Sequence, residues 1–285
     1  MLVELAIGAR PESVAVALRE IGMQASNARG GGGRPPERVD AYLRWANYAA
    51  RQLRNQITQD DISRLVLSPV YFALVSLGRE PSPFVGDLVD RELELRGSDL
   101  EAAAEELRRI SAEWPAAAFL VADTSVFMQH PEKLEDLDFR TLLSVREEPV
   151  HLLVPILLID ELDNLKRSRD VRWRASYTLA VFESCVPAPG QVGRLRKADF
   201  SALDVGGIPS GEVTVEVVLD PPRHVRLPVN DDEIIDRAVA LHVLAGRPLT
   251  FATYDTGQAM RARATPLTVR KLQLSAKEPE KSGRS

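Results

Sequence analysis

The chain lacks most of the features that assign a protein at sight. Its 285 residues include one cysteine, Cys185. A single thiol supports neither a disulfide framework nor a thiolate-built zinc site, and it suits a reducing compartment. No apolar run approaches the ~20 residues that a membrane helix needs. The opening MLVELAIGARPE is too short and too acidic for a signal peptide. These absences predict a cytoplasmic protein that uses no membrane. Positive charge is not in surplus either. The net charge of −5 excludes nucleic-acid binding by bulk charge and leaves room only for a local basic groove. The four histidines, His130, His151, His224 and His242, do not pair at metal-ligand spacing, so no catalytic role is assigned to them. The glycine run at 30–33 has no strand before it and no Gly-Lys-Ser/Thr after it. It reads as a linker, not a phosphate loop.

What the chain does have is apolar residues, 45% of the total, enough to core about two domains. The first third has helical periodicity. PESVAVALREIG reads as a short helix, and Val39, Tyr42, Leu43, Ala46, Ala50, Leu53 and Ile57 keep one face of the next. DDISRLVLSPVYFALVSL is kinked or split at Pro69, and two further helices follow, the second with Asp99 near its N-cap. Residues 1–115 therefore read as a helical domain. From residue 116 the texture changes. AAFLVAD, PVHLLVP, RPLTFATYD and PLTVRKL read as strands, and LEDLDFRTLLSV, ILLIDELDNLKRS and DVRWRASYTLAVFESC as helices between them. That alternation predicts an α/β domain over 116–272, a parallel sheet with helices on both faces. Residues 187–228 break the rhythm and read as an insertion, with GEVTVEVVLD and RHVRLPV as a β-hairpin. Residues 273–285 read as a disordered tail.

In a parallel α/β sheet, sites form at the carboxyl ends of the strands. Asp123 ends the first strand, Glu161 lies early in the helix after the second, Asp231 and Asp232 open a later helix, and Asp255 ends the strand LTFATYD. Each has a plain structural reading: Asp123 as a helix cap, Asp231 and Asp232 as a cap and dipole partner, Asp255 as a turn former. Together, however, they occupy one edge. Carboxylates ~5 Å apart repel by roughly 3 kcal/mol per pair at an effective dielectric of 20. Such a gathering calls for a cation, and oxygen-only ligands suit Mg²⁺ or Mn²⁺. A hard cation of this kind activates water and polarises a phosphoryl oxygen, the chemistry of phosphodiester hydrolysis.

Four segments, in order, resemble the motifs of PIN domains, the nuclease modules of VapC toxins and of RNA-processing endonucleases. FLVADTSVFM resembles the opening strand, and VPILLIDELDNLK the second motif, in the form found near PhoH-type proteins. NDDEIIDRAVAL resembles the third motif and LTFATYDTGQAMRARA the fourth. The resemblance spans about residues 117–272. It implies a PIN-like α/β fold and carries the family's four acids onto Asp123, Glu161, Asp231 and Asp255. The chain departs from the pattern in three places: the long insertion, Tyr254 where a small or polar residue is usual, and two adjacent acids in the third motif. Asp232 is therefore an alternative ligand, although the spacing to Ile234 favours Asp231.

The implied activity is a Mg²⁺- or Mn²⁺-dependent endoribonuclease. Thr124, Ser125 and Thr253 are expected to orient the carboxylates. Lys166, Arg167, Arg169, Arg172 and Arg174 concentrate positive charge after Glu161, with Trp173 among them; they are the candidate RNA contacts. Arg261 and Arg263 are weaker candidates. Expected partners are single-stranded RNA, a second copy of the chain, and an antitoxin-like protein if the domain serves as a toxin. The rival reading is a PIN-like module that binds RNA or protein without catalysis. A phosphotransferase of the haloacid dehalogenase type is disfavoured, because the second acid it wants two residues after Asp123 is Ser125.

Overall fold

The computed structural model describes residues 3–30, 34–76, 84–114, 116–145, 147–206, 209–222 and 224–273. The tail beyond 273 and linker residues 31–33 lie outside the described residues. The chain divides into two compact units. One holds Met1–Pro115 with Asp220–Val225 and Ala240–Arg247; the other holds Ala116–Leu219, Arg226–Val239 and Pro248–Ser285.

The first unit is built on helices α1 (Pro11–Gly30), α2 (Pro35–Leu53), α3 (Gln59–Leu65), α4 (Pro69–Ser76) and α5 (Val85–Glu113). Helix α2 buries Val39, Tyr42, Trp45, Ala46, Ala49 and Leu53, spaced three and four apart as one face requires. Pro69 opens α4, where its missing N–H costs nothing, so the apolar run is split rather than kinked. Two expectations are corrected. Helix α1 runs on to Gly30, and the two helices expected between 84 and 114 are one, continuous through Gly97. The reason lies in the packing of α1 on α5. A Cβ at Gly22 would stand 3.3 Å from the Gly97 carbonyl oxygen, so the glycines let the two backbones approach. That contact offsets the roughly 1 kcal/mol that glycine costs inside a helix.

The second unit carries strands β1 (Ala118–Ala122), β2 (Val150–Pro155), β3 (Gly193–Arg196), β4 (Val213–Val218), β5 (Leu249–Thr253) and β6 (Thr268–Lys271). They form one sheet in the order β3-β4-β2-β1-β5-β6. All neighbours pair parallel except β3 with β4. Helices α6 (Thr124–Gln129), α7 (Phe139–Leu143), α8 (Ile156–Leu165), α9 (Arg172–Cys185), α10 (Asn230–Ala245) and α11 (Thr256–Ala262) connect the strands. Every residue of β2 is buried, as expected of a parallel strand covered on both faces. The chain steps from β1 through β2 to β4, then returns to place β5 on the other side of β1. The carboxyl ends of β1 and β5 thus flank the switch point, where such sheets bind ligands.

Segment 187–228 is not an added hairpin. Val213–Val218 pairs parallel with β2 over six residues and antiparallel with β3, while 224–229 forms no strand. Its alternation misleads because its polar side chains meet a neighbouring strand rather than water, with Glu216 buried and Thr214 partly so. His151 of β2 contacts Thr214 Oγ1 at 2.7 Å and Glu216 at 3.5 Å. The helix expected over 134–145 also divides, into a 3₁₀ turn at Leu134–Asp136 and α7, because Asp138 caps α7 through the Arg140 and Thr141 amides. Among the described residues no helix is long and apolar enough to cross a membrane.

Candidate active site

Strand β1 is apolar to its end and delivers Asp123 at the N-cap of α6. The side chain is 6% exposed. Its Oδ2 accepts from the Ser125 amide at 3.0 Å, so Asp123 does cap the helix. Capping is not all it does. Thr253 Oγ1 donates to Oδ2 at 3.3 Å, and Gln258 Nε2 donates to Oδ1 at 3.2 Å. Each of these donors is neutral, and among the described residues no lysine or arginine pairs with Asp123.

Strand β5 lies beside β1, with Ala122 opposite Ala252, which sets Thr253 next to Asp123. Asp255 follows two residues later as the N-cap of α11 and accepts from the Gln258 amide at 2.6 Å. Gln258 therefore joins the two acids: its main chain is held by Asp255 and its side chain holds Asp123. It is fully buried, and its Oε1 has no partner. The sequence reading missed Gln258, which looks there like any glutamine in a short helix. Its position three residues after a strand-end aspartate, at N3 of a capped helix, was the available signal.

Glu161 projects from α8. Thr124 Oγ1 donates to its Oε2 at 2.6 Å and Asn230 Nδ2 to its Oε1 at 2.9 Å. Its pKa lies above the ordinary carboxylate value. Burial is the main cause, the two donors pull the other way, and the negative charges of Asp123 and Asp231 add to the rise. Asp231 and Asp232 share one counter-ion: Arg261 reaches Asp231 Oδ2 at 2.6 Å through Nη2 and Asp232 Oδ1 at 2.9 Å through Nε. The structure thus brings Asp123, Glu161, Asp231 and Asp255 to one edge of the sheet. Among the described residues, no three of the five acids place oxygens within 4.8 Å of one another. Mutual repulsion and the pull of Arg261 on the third-motif pair both favour that spread.

Thr124, Ser125 and Thr253 all lie beside the acids, but the Ser125 hydroxyl contacts Thr253 and the Tyr254 amide, not a carboxylate. Thr124 holds Glu161, the Ser125 amide donates to Asp123, and Thr253 links Asp123, Ser125 Oγ at 3.3 Å and the Asp255 amide at 2.9 Å. The basic set divides. Arg167, Arg169 and Arg172 are exposed, and Lys166 pairs with Asp163 at 2.8 Å. Arg174 instead turns inward, donating to the carbonyls of Phe127 at 2.8 Å, His130 at 2.7 Å and Glu132. It locks the far end of α6, a use with no sequence signature. Arg263 rests against Met260. A groove of about 620 Å³ between α8 and α9, lined by Ile159, Asp160, Leu179 and Phe182, contains none of the four acids.

The family model described as PIN domain matches residues 120–273, more than half of the chain. No curated protein and no solved structure matches it.

Proposed function

Since the chain belongs to the PIN domain family, whose fold is that of nucleases, we propose that it is a Mg²⁺- or Mn²⁺-dependent endoribonuclease acting on single-stranded RNA in the cytoplasm. One observation carries the reading most. Asp123 is buried and Glu161 partly buried at the switch point of the sheet, close enough for one charge to raise the other's pKa, and both are satisfied by neutral donors alone. A buried carboxylate without a counter-charge is costly, so a fold keeps such a pair for what it binds.

The donor set suits a hard divalent ion. Asp123, Glu161, Asp231 and Asp255 offer oxygen only, and a cation would offset both the burial that chiefly raises Glu161 and the repulsion that Asp123 and Asp231 add. Mg²⁺ retains several waters and takes only one or two carboxylates directly, so the spread of the oxygens is compatible with it. When bound, such an ion supplies Lewis-acid stabilisation to a phosphoryl group. The chain's own residues do the rest. Gln258 and Thr253 fix both oxygens of Asp123, and Thr124 and Asn230 fix those of Glu161. Asp255 caps α11 and thereby sets Gln258. Arg261 holds the Asp231–Asp232 pair together. No histidine touches these carboxylates, so proton transfer to the leaving group is left to water. The test is cleavage of an unstructured oligoribonucleotide with Mn²⁺, with EDTA, and by Asp123→Asn. Internal cuts that EDTA and the variant both abolish support the reading. An Asp123→Asn protein that cuts like the wild type refutes it.

A further inference from the structure

Trp173 opens α9 and is 63% exposed, an unusual position for the largest apolar side chain. It is not loose. Its ring stacks on Tyr177 one helical turn on, with centroids 5.4 Å apart and planes 20° from parallel. Tyr177 is fixed in turn by donating its hydroxyl to Glu135 Oε2 at 2.6 Å. Lys133 Nζ lies 4.7 Å from the Tyr177 centroid and 5.4 Å from that of Trp173. The pair is a stacked aromatic surface, largely exposed at Trp173, with a cation over its rings.

Charge points to the occupant. The turn KRSRDVR at 166–172 carries Lys166, Arg167, Arg169 and Arg172 against one acid, Asp170, on a chain that is acidic as a whole. Distance points the same way. Arg174, next to Trp173, grips the end of α6, and the start of α6 is Asp123. Helix α6 is about 9 Å long, so Arg174 ties the start of α9 to the far end of the short helix that begins at the candidate site. We propose that Trp173, backed by Tyr177 and flanked by Lys133, is a stacking subsite for an unpaired base of the RNA strand. The basic turn takes the neighbouring phosphates. A strand offers both a flat base and a phosphate to match these two features, whereas an acidic peptide matches only the charge. The proposal rests on the ribonuclease reading and adds to it a reason for single-strand preference, since a paired base cannot reach the ring.

The experiment measures binding apart from cleavage. Full-length Asp123→Asn protein is titrated against a labelled, unstructured oligoribonucleotide of about 12 nucleotides and against its duplex. The same titrations use this protein with Trp173→Ala, Trp173→Phe or Lys133→Gln added. Trp173→Ala is expected to weaken single-strand binding roughly tenfold or more, Trp173→Phe to keep most of it, and the weak duplex binding to stay unchanged. In the otherwise wild-type enzyme Trp173→Ala should raise KM by the same factor and leave kcat unchanged. If the wild type cuts RNA and Trp173→Ala binds and cuts as it does, the platform is overturned and the ribonuclease reading stands. Equal losses on single strand and duplex also overturn it, as do equal losses in the Ala and Phe variants. If the wild type neither binds nor cuts RNA, both readings fall together.

Discussion

Glu92 in the helical unit and Asp123 in the α/β unit are buried alike, each 6% exposed, and are satisfied in opposite ways. Glu92 is paired with Arg96 at 3.2 Å and accepts from Ser68 Oγ at 2.6 Å, while Arg96 also reaches Asp99 at 3.1 Å. Its charge is neutralised within its own helix. Asp123 has an amide N–H, a hydroxyl and a carboxamide, and its charged neighbour is another acid. The contrast is not one of fold class. Glu233, in the α/β unit, is 1% exposed and pairs with Arg237 at 3.4 Å. An acid with a cation beside it belongs to the architecture. An acid held only by dipoles next to further acids is where the proposed ion would sit.

Exchanging each carboxylate for its amide separates the two kinds. The largest effect expected is on activity. Asp123→Asn should lower RNA cleavage by more than ~100-fold, the upper range for changes one shell further out. Its melting temperature should match wild type. Asn caps as well as Asp, and the Gln258 amide can turn over so that its unpartnered Oε1 accepts from the new Nδ2. Glu92→Gln should do the reverse. It strips Arg96 of its buried partner and should cost about 3 kcal/mol in urea denaturation, with activity per folded molecule unchanged.

Smaller changes probe the neutral donors. Gln258→Leu leaves one oxygen of Asp123 without its donor and should cost about 1–2 kcal/mol. Cleavage should fall about 10- to 100-fold, as for other groups that orient a ligand. A loss of stability with full activity would return Gln258 to the core. Arg261→Gln should cost ~1 kcal/mol or less, because the ion pairs it breaks are nearly half exposed. With Asp231 and Asp232 unneutralised, Mn²⁺ should raise the melting temperature of this variant more than that of wild type. An equal or smaller rise would mean that Arg261 does not compete for those acids.

The site was more legible than its surroundings. Apolar strands ending in Asp123 and Asp255 announce themselves, because a charge at the end of a buried run is locally anomalous. Glu161, Asp231 and Asp232 stood out only in conjunction with these, since acids on helices are common, and the family resemblance then favoured Asp231. The fold was misread where satisfaction is non-local. Glu216 and Thr214 made β4 look half solvated, but His151 on the neighbouring strand meets both. Gly97 looked like a break between helices until Gly22 was seen against it. Arg174 looked like an RNA contact, yet it serves carbonyls more than forty residues away in sequence.

The smallest effect is the most discriminating, because it turns on a sign. The folded chain holds the Glu161 proton more tightly than the unfolded chain, whose ordinary value is 4.5. Stability contributed by this group is therefore present below that value and is lost as pH rises toward the folded pKa. Glu161→Gln has no such loss. Its Oε1 can still accept from Asn230, and its Nε2 can donate to the Thr124 hydroxyl, which accepts as readily as it gives. In EDTA at about pH 7 the variant should melt above wild type, and at about pH 3 the two should coincide. Glu92→Gln, measured alongside, should melt below wild type at about pH 7, because there the lost carboxylate neutralised an arginine. Melting curves at the two pH values give both signs. If Glu161→Gln proves destabilising at neutral pH, as Glu92→Gln should be, then Glu161 is an architectural acid like Glu92, and the division drawn between the two kinds of buried carboxylate fails at the candidate site itself.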